Sequence, residues 1–356
     1  MSPRPAIPES MNALLLSRFG GPEQLVPSVR PVPTPGPGEV LIRVAYCGIC
    51  RHDLLTRSGA FAKTPLPVIP GHQIGGTVVS LGPDVTGVET GQRVSSLIRI
   101  GCGDCEQCRA GNEAYCETFR ARFLGEDLDG GYAEFVKVPD HAVIPLPDGL
   151  PLETAAVASC TFGTAYHAIR TRGQAQPGET VVVTGASGGA GLHALELLRH
   201  FGCRCIAVTS SDEKSELLRQ AGADEVIVSD NLVFADQVKA LTGGRGCDLV
   251  IEVVGERTLD QSVRALRKGG RAVLAGNITG KKAQITPAHF ILKEISLIGT
   301  RTCTKAELQE VYDLLVSGAV RVHVDRMLPL EKGSEAHALM EAGASRGRYV
   351  LAASAD

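Results

Sequence analysis

The sequence predicts an α/β protein of two domains, a mostly β unit of short strands followed by a doubly wound parallel sheet, and three observations carry that prediction. The chain has 356 residues, more than one hydrophobic core usually holds. From Met11 to about Pro147, short β-rich runs are separated by Gly and Pro at close intervals. After Leu152 the rhythm changes to an alternation of strands with helices, the pattern of a parallel sheet.

Taken in order, residues 1–10 are rich in Pro and Ser and read as a loose tail. The runs ALLL, VLIRVAYC, GTVVSLG, QRVSSLI, YAEFVKVP and AVIPLP are the strands of the first unit. ETAAVASCTFGTAYHAIRT reads as helix. The repeats follow: VVVTG to GLHALELLRHFG, CIAVT to EKSELLRQAG, EVIV to ADQVKALT, DLVIEVVG to TLDQSVRALRKGG, and RAVLAG to a final apolar run, ISLIGT. TKAELQEVYDLLVSGAV returns to helix and RYVLAA to strand, with nothing intrinsic to say which domain they join.

Hydrophobic residues make up 44% and charged residues 21%, ordinary values for a globular protein, and the net charge of -3 gives no global attraction to nucleic acid or acidic membranes. No secretory leader and no window of eighteen uninterrupted apolar residues is present, so the protein is expected to be soluble and cytoplasmic. Eleven cysteines, an odd number with a tight cluster, suit a metal in a reducing compartment better than a disulfide framework.

That cluster is Cys102, Cys105, Cys108 and Cys116, four thiolates spaced so that one loop can wrap a tetrahedral cation. Zinc is the natural occupant and an iron cluster the alternative. Four protein ligands leave no open position, so the cluster is expected to be structural. An open site needs about three ligands, which can lie far apart in sequence. Cys50 in CGICRHD, His72 in PGHQIGG and Cys160 in ASCTFGTAY are candidates; a lone buried Cys or His is more often a packing residue.

VVVTGASGGAGLHALELLRHFG joins a strand, a glycine-rich turn and an amphipathic helix. Gly185, Gly188, Gly189 and Gly191 let the backbone approach a pyrophosphate at the helix N-terminus, although Ala186 stands where the first Gly of a strict G-x-G-x-x-G would fall. The next strand ends without the acid that holds a ribose in NAD sites. Thr209 takes that place, followed by Ser210, Ser211 and Lys214, which suit a 2′-phosphate and favour NADP(H) over NAD(H). Asp212 argues the other way.

With these pieces assembled, the chain resembles the zinc-containing medium-chain alcohol dehydrogenases from about Met11 onward, through PGPGEVLIRVAYCGICRHD, PGHQIGG, the cysteine cluster, GGYAEFVKVP, ASCTFGTAYHAI, TGASGGAG, DLVIEVVG and GRYVLAA. The resemblance implies a GroES-like catalytic domain over residues 1–160, completed by 303–356, and a Rossmann domain over 161–302. It implies two zinc ions per chain: a catalytic one on Cys50, His72 and Cys160, and a structural one on the four-cysteine cluster. Asp53 matches the carboxylate that orients a ligand histidine, and Arg51 a position that reaches the cofactor pyrophosphate. The implied activity is hydride transfer between the nicotinamide and an alcohol or carbonyl, in the cleft between the domains, by a homodimer or homotetramer joined through the ISLIGT edge.

Two departures from the family pattern matter. His52 stands where many relatives have a Ser or Thr that hands on the alcohol's proton, and Leu55 where some have a relay histidine; His52 is a candidate for that transfer, the alternative being a side chain directed elsewhere. Gln73 replaces the usual Glu beside the ligand histidine, which removes a negative charge from the zinc surroundings. Phe61, Phe119 and Leu124 are placed near the pocket by the resemblance. The chain is also similar to enoyl and acryloyl-type reductases, which reduce a conjugated double bond and do not require a catalytic zinc. A non-catalytic NADPH-binding protein is the third alternative.

Overall fold

The computed structural model describes residues 6–118, 120–343 and 345–354. Two compact units emerge: the described residues of Met1–Cys160, Thr304–Val316 and Val324–Asp356, and those of Thr161–Cys303 and Ser317–His323. No helix among the described residues is long and apolar enough to cross a membrane.

The first unit is built on a seven-stranded sheet. Its path runs Val324–Pro329, Arg348–Ala352, Glu39–Gly48, Gln73–Leu81, Arg93–Ser96, Val143–Pro145, and Phe135–Pro139 also pairs with Glu39–Gly48. Every pairing is antiparallel except that of the two C-terminal strands. Glu39–Gly48 is buried along most of its length, as its apolar run requires in a central strand. The helix Leu152–Val157 lies so close to the sheet that a Cβ on Gly75 would fall 2.2 Å from the Leu152 carbonyl oxygen. The run read as one helix contains two π turns, Ala158–Phe162 and His167–Arg172, and the first carries Cys160. The strands Leu25–Pro31 and Val324–Pro329 went unread in the sequence, because a Pro interrupts the first and charges the second.

The second unit is a six-stranded parallel sheet in the order Glu225–Val228, Arg204–Thr209, Thr180–Val183, Cys247–Glu252, Leu266–Leu274, Ser296–Gly299. In chain order this is 3-2-1-4-5-6, the doubly wound dinucleotide-binding arrangement, with its switch point between Thr180–Val183 and Cys247–Glu252. The sequence extends the helix TLDQSVRALRKGG too far: it ends at Ala265 and the strand begins at Leu266. Of the tail, expected to join the first unit throughout 303–356, Ser317–His323 goes with the second unit. The buried Glu196 accounts for this, since it accepts from Arg321 Nε at 3.2 Å and pairs with His323 Nε2 at 2.9 Å.

The tail helix Gly333–Glu341 enters the first unit through His337, which is fully buried. Arg57 Nε donates to its Nδ1 at 3.3 Å, and the Tyr132 hydroxyl lies 3.0 Å from its Nε2. Burial holds the imidazole pKa down at about 4; Asp53 opposes this and Arg57 adds to it, with Glu341 beyond as the guanidinium's partner. The folded pKa is therefore below the unfolded one, so the unfolded state takes up the proton first as pH falls. Stability from this group is present above pH 6.5 and is lost toward pH 4, by about 3 kcal/mol. The unfolding free-energy difference between wild type and His337→Gln should shrink by that amount between pH 7 and pH 4; a pH-independent difference would contradict it.

Candidate active site

Cys50 follows the central strand Glu39–Gly48 and caps the helix Arg51–Ser58. Asp53, at that helix's third position, accepts the Cys50 amide hydrogen on Oδ2 at 2.8 Å. His72 precedes the strand Gln73–Leu81, and its Nδ1 donates to Asp53 Oδ1 at 2.7 Å. With Cys160 on its π turn, Cys50 and His72 bring three donor atoms within 4.8 Å of one another. His72 Nε2 is buried and has no hydrogen-bond partner among the described residues.

The electrostatics of this trio call for a cation. The Cys160 thiol pulls the Cys50 thiol pKa well below its usual value against burial, with His72 and Arg348 assisting. Cys160 is pushed up in turn by Cys50 and by burial. Burial opposes a charge on His72, yet Asp53 and Cys50 outweigh it and raise the imidazole to about 10. Two sulfurs and one neutral imidazole nitrogen form a donor set that suits zinc and leaves a fourth position open.

The four-cysteine cluster is a separate group. Its sulfurs also lie within 4.8 Å of one another, with Cys102–Cys108 and Cys105–Cys116 each 4.0 Å apart. Backbone amides donate to three of them: Cys102 to Cys116 Sγ at 3.3 Å, Cys105 to Cys102 Sγ at 3.3 Å, Cys108 to Cys105 Sγ at 3.5 Å. Such donors stabilise thiolates, and the set fits a closed tetrahedral ion. None of the eleven cysteines is in a disulfide.

His52 is committed elsewhere than to open solvent. Its Nε2 pairs with Glu126 Oε2 at 2.6 Å, and its ring stacks between Phe61 and Phe123 at centroid distances of 4.6 and 4.2 Å. The His72 ring stands edge-on at 5.4 Å. Gln73 is fully buried and neither amide atom has a partner among the described residues; a Cβ on Gly48 would come 2.5 Å from its Oε1. Leu124 is fully buried, Arg51 is exposed at its helix start, and Phe119 lies outside the described residues.

At the glycine turn, Gly185 adopts φ +55°, and Gly188 precedes the helix Gly189–His200, whose first turn has no side-chain cap and no acid. A Cβ on Gly191 would lie 2.6 Å from Ala186 Cα, so only glycine lets the helix pack on the turn. The uncapped amides fit a pyrophosphate. Ser211 and Lys214 are half-buried, Ser210 is exposed, and exposed Asp212 accepts from Ser215 at 3.0 Å. Thr209 is buried, and its hydroxyl takes the Ser211 amide at 3.3 Å within the turn.

Several residues at these sites were not singled out from sequence. Phe123 and Glu126 bracket His52 in a stretch with no local signature. Tyr132 and Arg348 sit inside motifs already quoted, GGYAEFVKVP and GRYVLAA; Arg348 is buried and reaches the Ile49 carbonyl. Glu252, in DLVIEVVG, is buried and accepts from Thr184, Thr258, Val254 and Gly255 on Oε1 and from Ser262 on Oε2, at 2.5 to 2.9 Å. It ties the strand end before Gly185 to the turn after Cys247–Glu252.

Known proteins match this arrangement over both units. The alcohol dehydrogenase GroES-like domain family matches residues 36–148, and the zinc-binding dehydrogenase family residues 189–317. An acryloyl-coenzyme A reductase of Sulfurisphaera tokodaii is 35% identical over 312 residues, 87% of this chain and 91% of that protein. An NAD-dependent alcohol dehydrogenase of Sulfolobus acidocaldarius is 34% identical over 349 residues, 96% of this chain and 99% of that protein. The crystal structure of AibC is 44% identical with a TM-score of 0.91, covering 97% of this chain and 96% of that one. The chain belongs to the medium-chain dehydrogenase/reductase family, and is an oxidoreductase built from a GroES-like unit and a Rossmann unit.

Proposed function

We propose that the protein is a zinc-dependent oxidoreductase that transfers hydride between NADP(H) and an alcohol or carbonyl. The observation that carries this is the unpartnered, buried Nε2 of His72 grouped with the Cys50 and Cys160 thiols. Zinc held by these three residues would supply Lewis acidity toward a substrate oxygen, and a bound nicotinamide would supply or accept the hydride. Asp53 keeps the His72 proton on Nδ1, so that Nε2 is the ligating atom. The His52–Glu126 pair carries the substrate's proton, taken up at His52 Nδ1 while Nε2 stays on the carboxylate. Cys102, Cys105, Cys108 and Cys116 hold a second, structural zinc.

The turn at Gly185, Gly188, Gly189 and Gly191 binds the pyrophosphate, and Ser210, Ser211 and Lys214 favour the 2′-phosphate of NADP(H). The strand Ser296–Gly299 lies at the sheet edge, and the helix before it, Pro287–Lys293, carries Ile291 and Leu292, which are 75% and 74% exposed. An apolar edge of this kind supports a homodimer or homotetramer. Free cysteines throughout support a cytoplasmic location.

A second reading, reduction of a conjugated carbon–carbon double bond, is favoured by two relatives named acryloyl-coenzyme A reductase, at 35% and 34% identity. Metal analysis combined with NADPH oxidation over aldehydes, ketones and α,β-unsaturated carbonyls separates the two. Two zincs per chain and turnover of simple carbonyls are expected; one zinc, with turnover of conjugated substrates alone, would transfer the assignment to the second reading. His52→Ala should lower turnover about 10²-fold, and near-normal turnover across pH would remove the relay role. Gln73→Glu should return a negative charge beside the zinc, changing zinc affinity and slowing hydride transfer; no change in either would reduce Gln73 to packing.

A further inference from the structure

We propose that Tyr132 and His337 are positioning residues for the candidate metal site, acting through Asp53 on His72, so that the C-terminal helix Gly333–Glu341 governs how tightly Cys50, His72 and Cys160 hold their metal. This rests on reading those three residues as metal ligands.

The chain of contacts begins at Arg57, which is buried to 1% exposure. Its Nε donates to His337 Nδ1 at 3.3 Å, one terminal nitrogen donates to the Gly20 carbonyl at 2.6 Å, and the other pairs with Glu341. A guanidinium has only donors, so His337 Nδ1 accepts and the ring carries its hydrogen on Nε2. That hydrogen faces the Tyr132 oxygen at 3.0 Å, so the phenol accepts it. The hydroxyl hydrogen is then left for Asp53 Oδ2, at 3.2 Å. Asp53 accepts two more hydrogens, the Cys50 amide on the same oxygen at 2.8 Å and His72 Nδ1–H on the other at 2.7 Å.

One direction runs through the whole series, and the donor-only guanidinium sets it. Reversing any link leaves a buried donor facing a donor. The groups along it, His337, Tyr132, Asp53 and His72, are each 1% exposed or less, so water has no access to repair a broken link. Packing alone would account for a buried Tyr and a buried His at these positions. It would not account for their polar atoms forming a directed series that ends on the carboxylate orienting His72. Losing the Tyr132 hydroxyl takes away one of Asp53's three donors, freeing the carboxylate and with it the imidazole. Loss of such an outer partner typically weakens metal binding 10- to 100-fold.

The full-length protein carrying its metals tests this by competition with a chelator, for zinc and for cobalt(II). Tyr132→Phe and His337→Leu are expected to loosen the metal at Cys50, His72 and Cys160 about tenfold or more and to shift the cobalt visible spectrum. The four-cysteine lobe should keep its metal, and NADPH binding, followed by fluorescence, should be unchanged. His337→Gln, whose amide can accept from Arg57 and donate to Tyr132, should restore most of the affinity. Unchanged affinity and spectrum in Tyr132→Phe, with two zincs in the wild type, would overturn the inference while leaving the ligand assignment intact. Equal losses in His337→Gln and His337→Leu would also overturn it, by exposing a purely steric role. A wild-type chain with zinc in the lobe alone would overturn the ligand assignment and the inference with it. Tyr132→Phe preserves the ring, so it decides the matter even if His337→Leu does not fold.

Discussion

A single buried carboxylate, Asp53, gathers hydrogen bonds from three separate segments: its own helix start through Cys50, the approach to a strand through His72, and a distant loop through Tyr132. A charge at 1% exposure is costly to desolvate, and each of these donors offsets part of that cost. Arg57, four residues along the same helix, is a buried guanidinium, yet it is spent on His337, Gly20 and Glu341. The negative charge is therefore left to act on the imidazole, and with Cys50 it outweighs burial and raises His72 to about 10. The thiols of Cys50 and Cys160 and the ring of His72 are assembled around that constraint.

The two cysteine-containing sites differ in how the chain builds them. The four-cysteine lobe is local: sixteen residues supply all four sulfurs and the amides that donate to three of them. Its four sulfurs are enough to close a tetrahedral shell, which suits a shape-holding role. The trio of Cys50, His72 and Cys160 takes its members from a helix cap, a strand approach and a π turn, and supplies three donor atoms rather than four. In the second unit, Glu252 plays a part comparable to that of Asp53. With five donors and no cation within the pairs described, it couples the Thr184 end of one strand to the Val254–Gly255 turn, where the Val253 and Val254 side chains crowd Gly185.

Legibility followed sequence separation. The cysteine cluster, the glycine turn and the βα alternation stood out because their members lie within one loop or one period. Cys50, His72 and Cys160 were weak individually and gained meaning only as parts of family motifs. Glu126, 74 residues from His52, and His337, 205 residues from Tyr132, carried no signal at all. Thr209 was legible as a strand end, whereas the bond its hydroxyl accepts from the Ser211 amide emerged only in the fold.

By itself the sequence determined the fold class, the strand–turn–helix that fits a dinucleotide and the closed cysteine lobe, because hydrophobic period, glycine placement and ligand spacing are local properties. Only the tertiary structure decided which hydrogen each buried polar group gives and which it takes. That order, from Arg57 through His337 and Tyr132 to Asp53 and His72, depends on side chains from opposite ends of the chain meeting where water is excluded. The sequence names those residues, but hydrogen-bond direction is a property of their contacts, and folding alone creates the contacts.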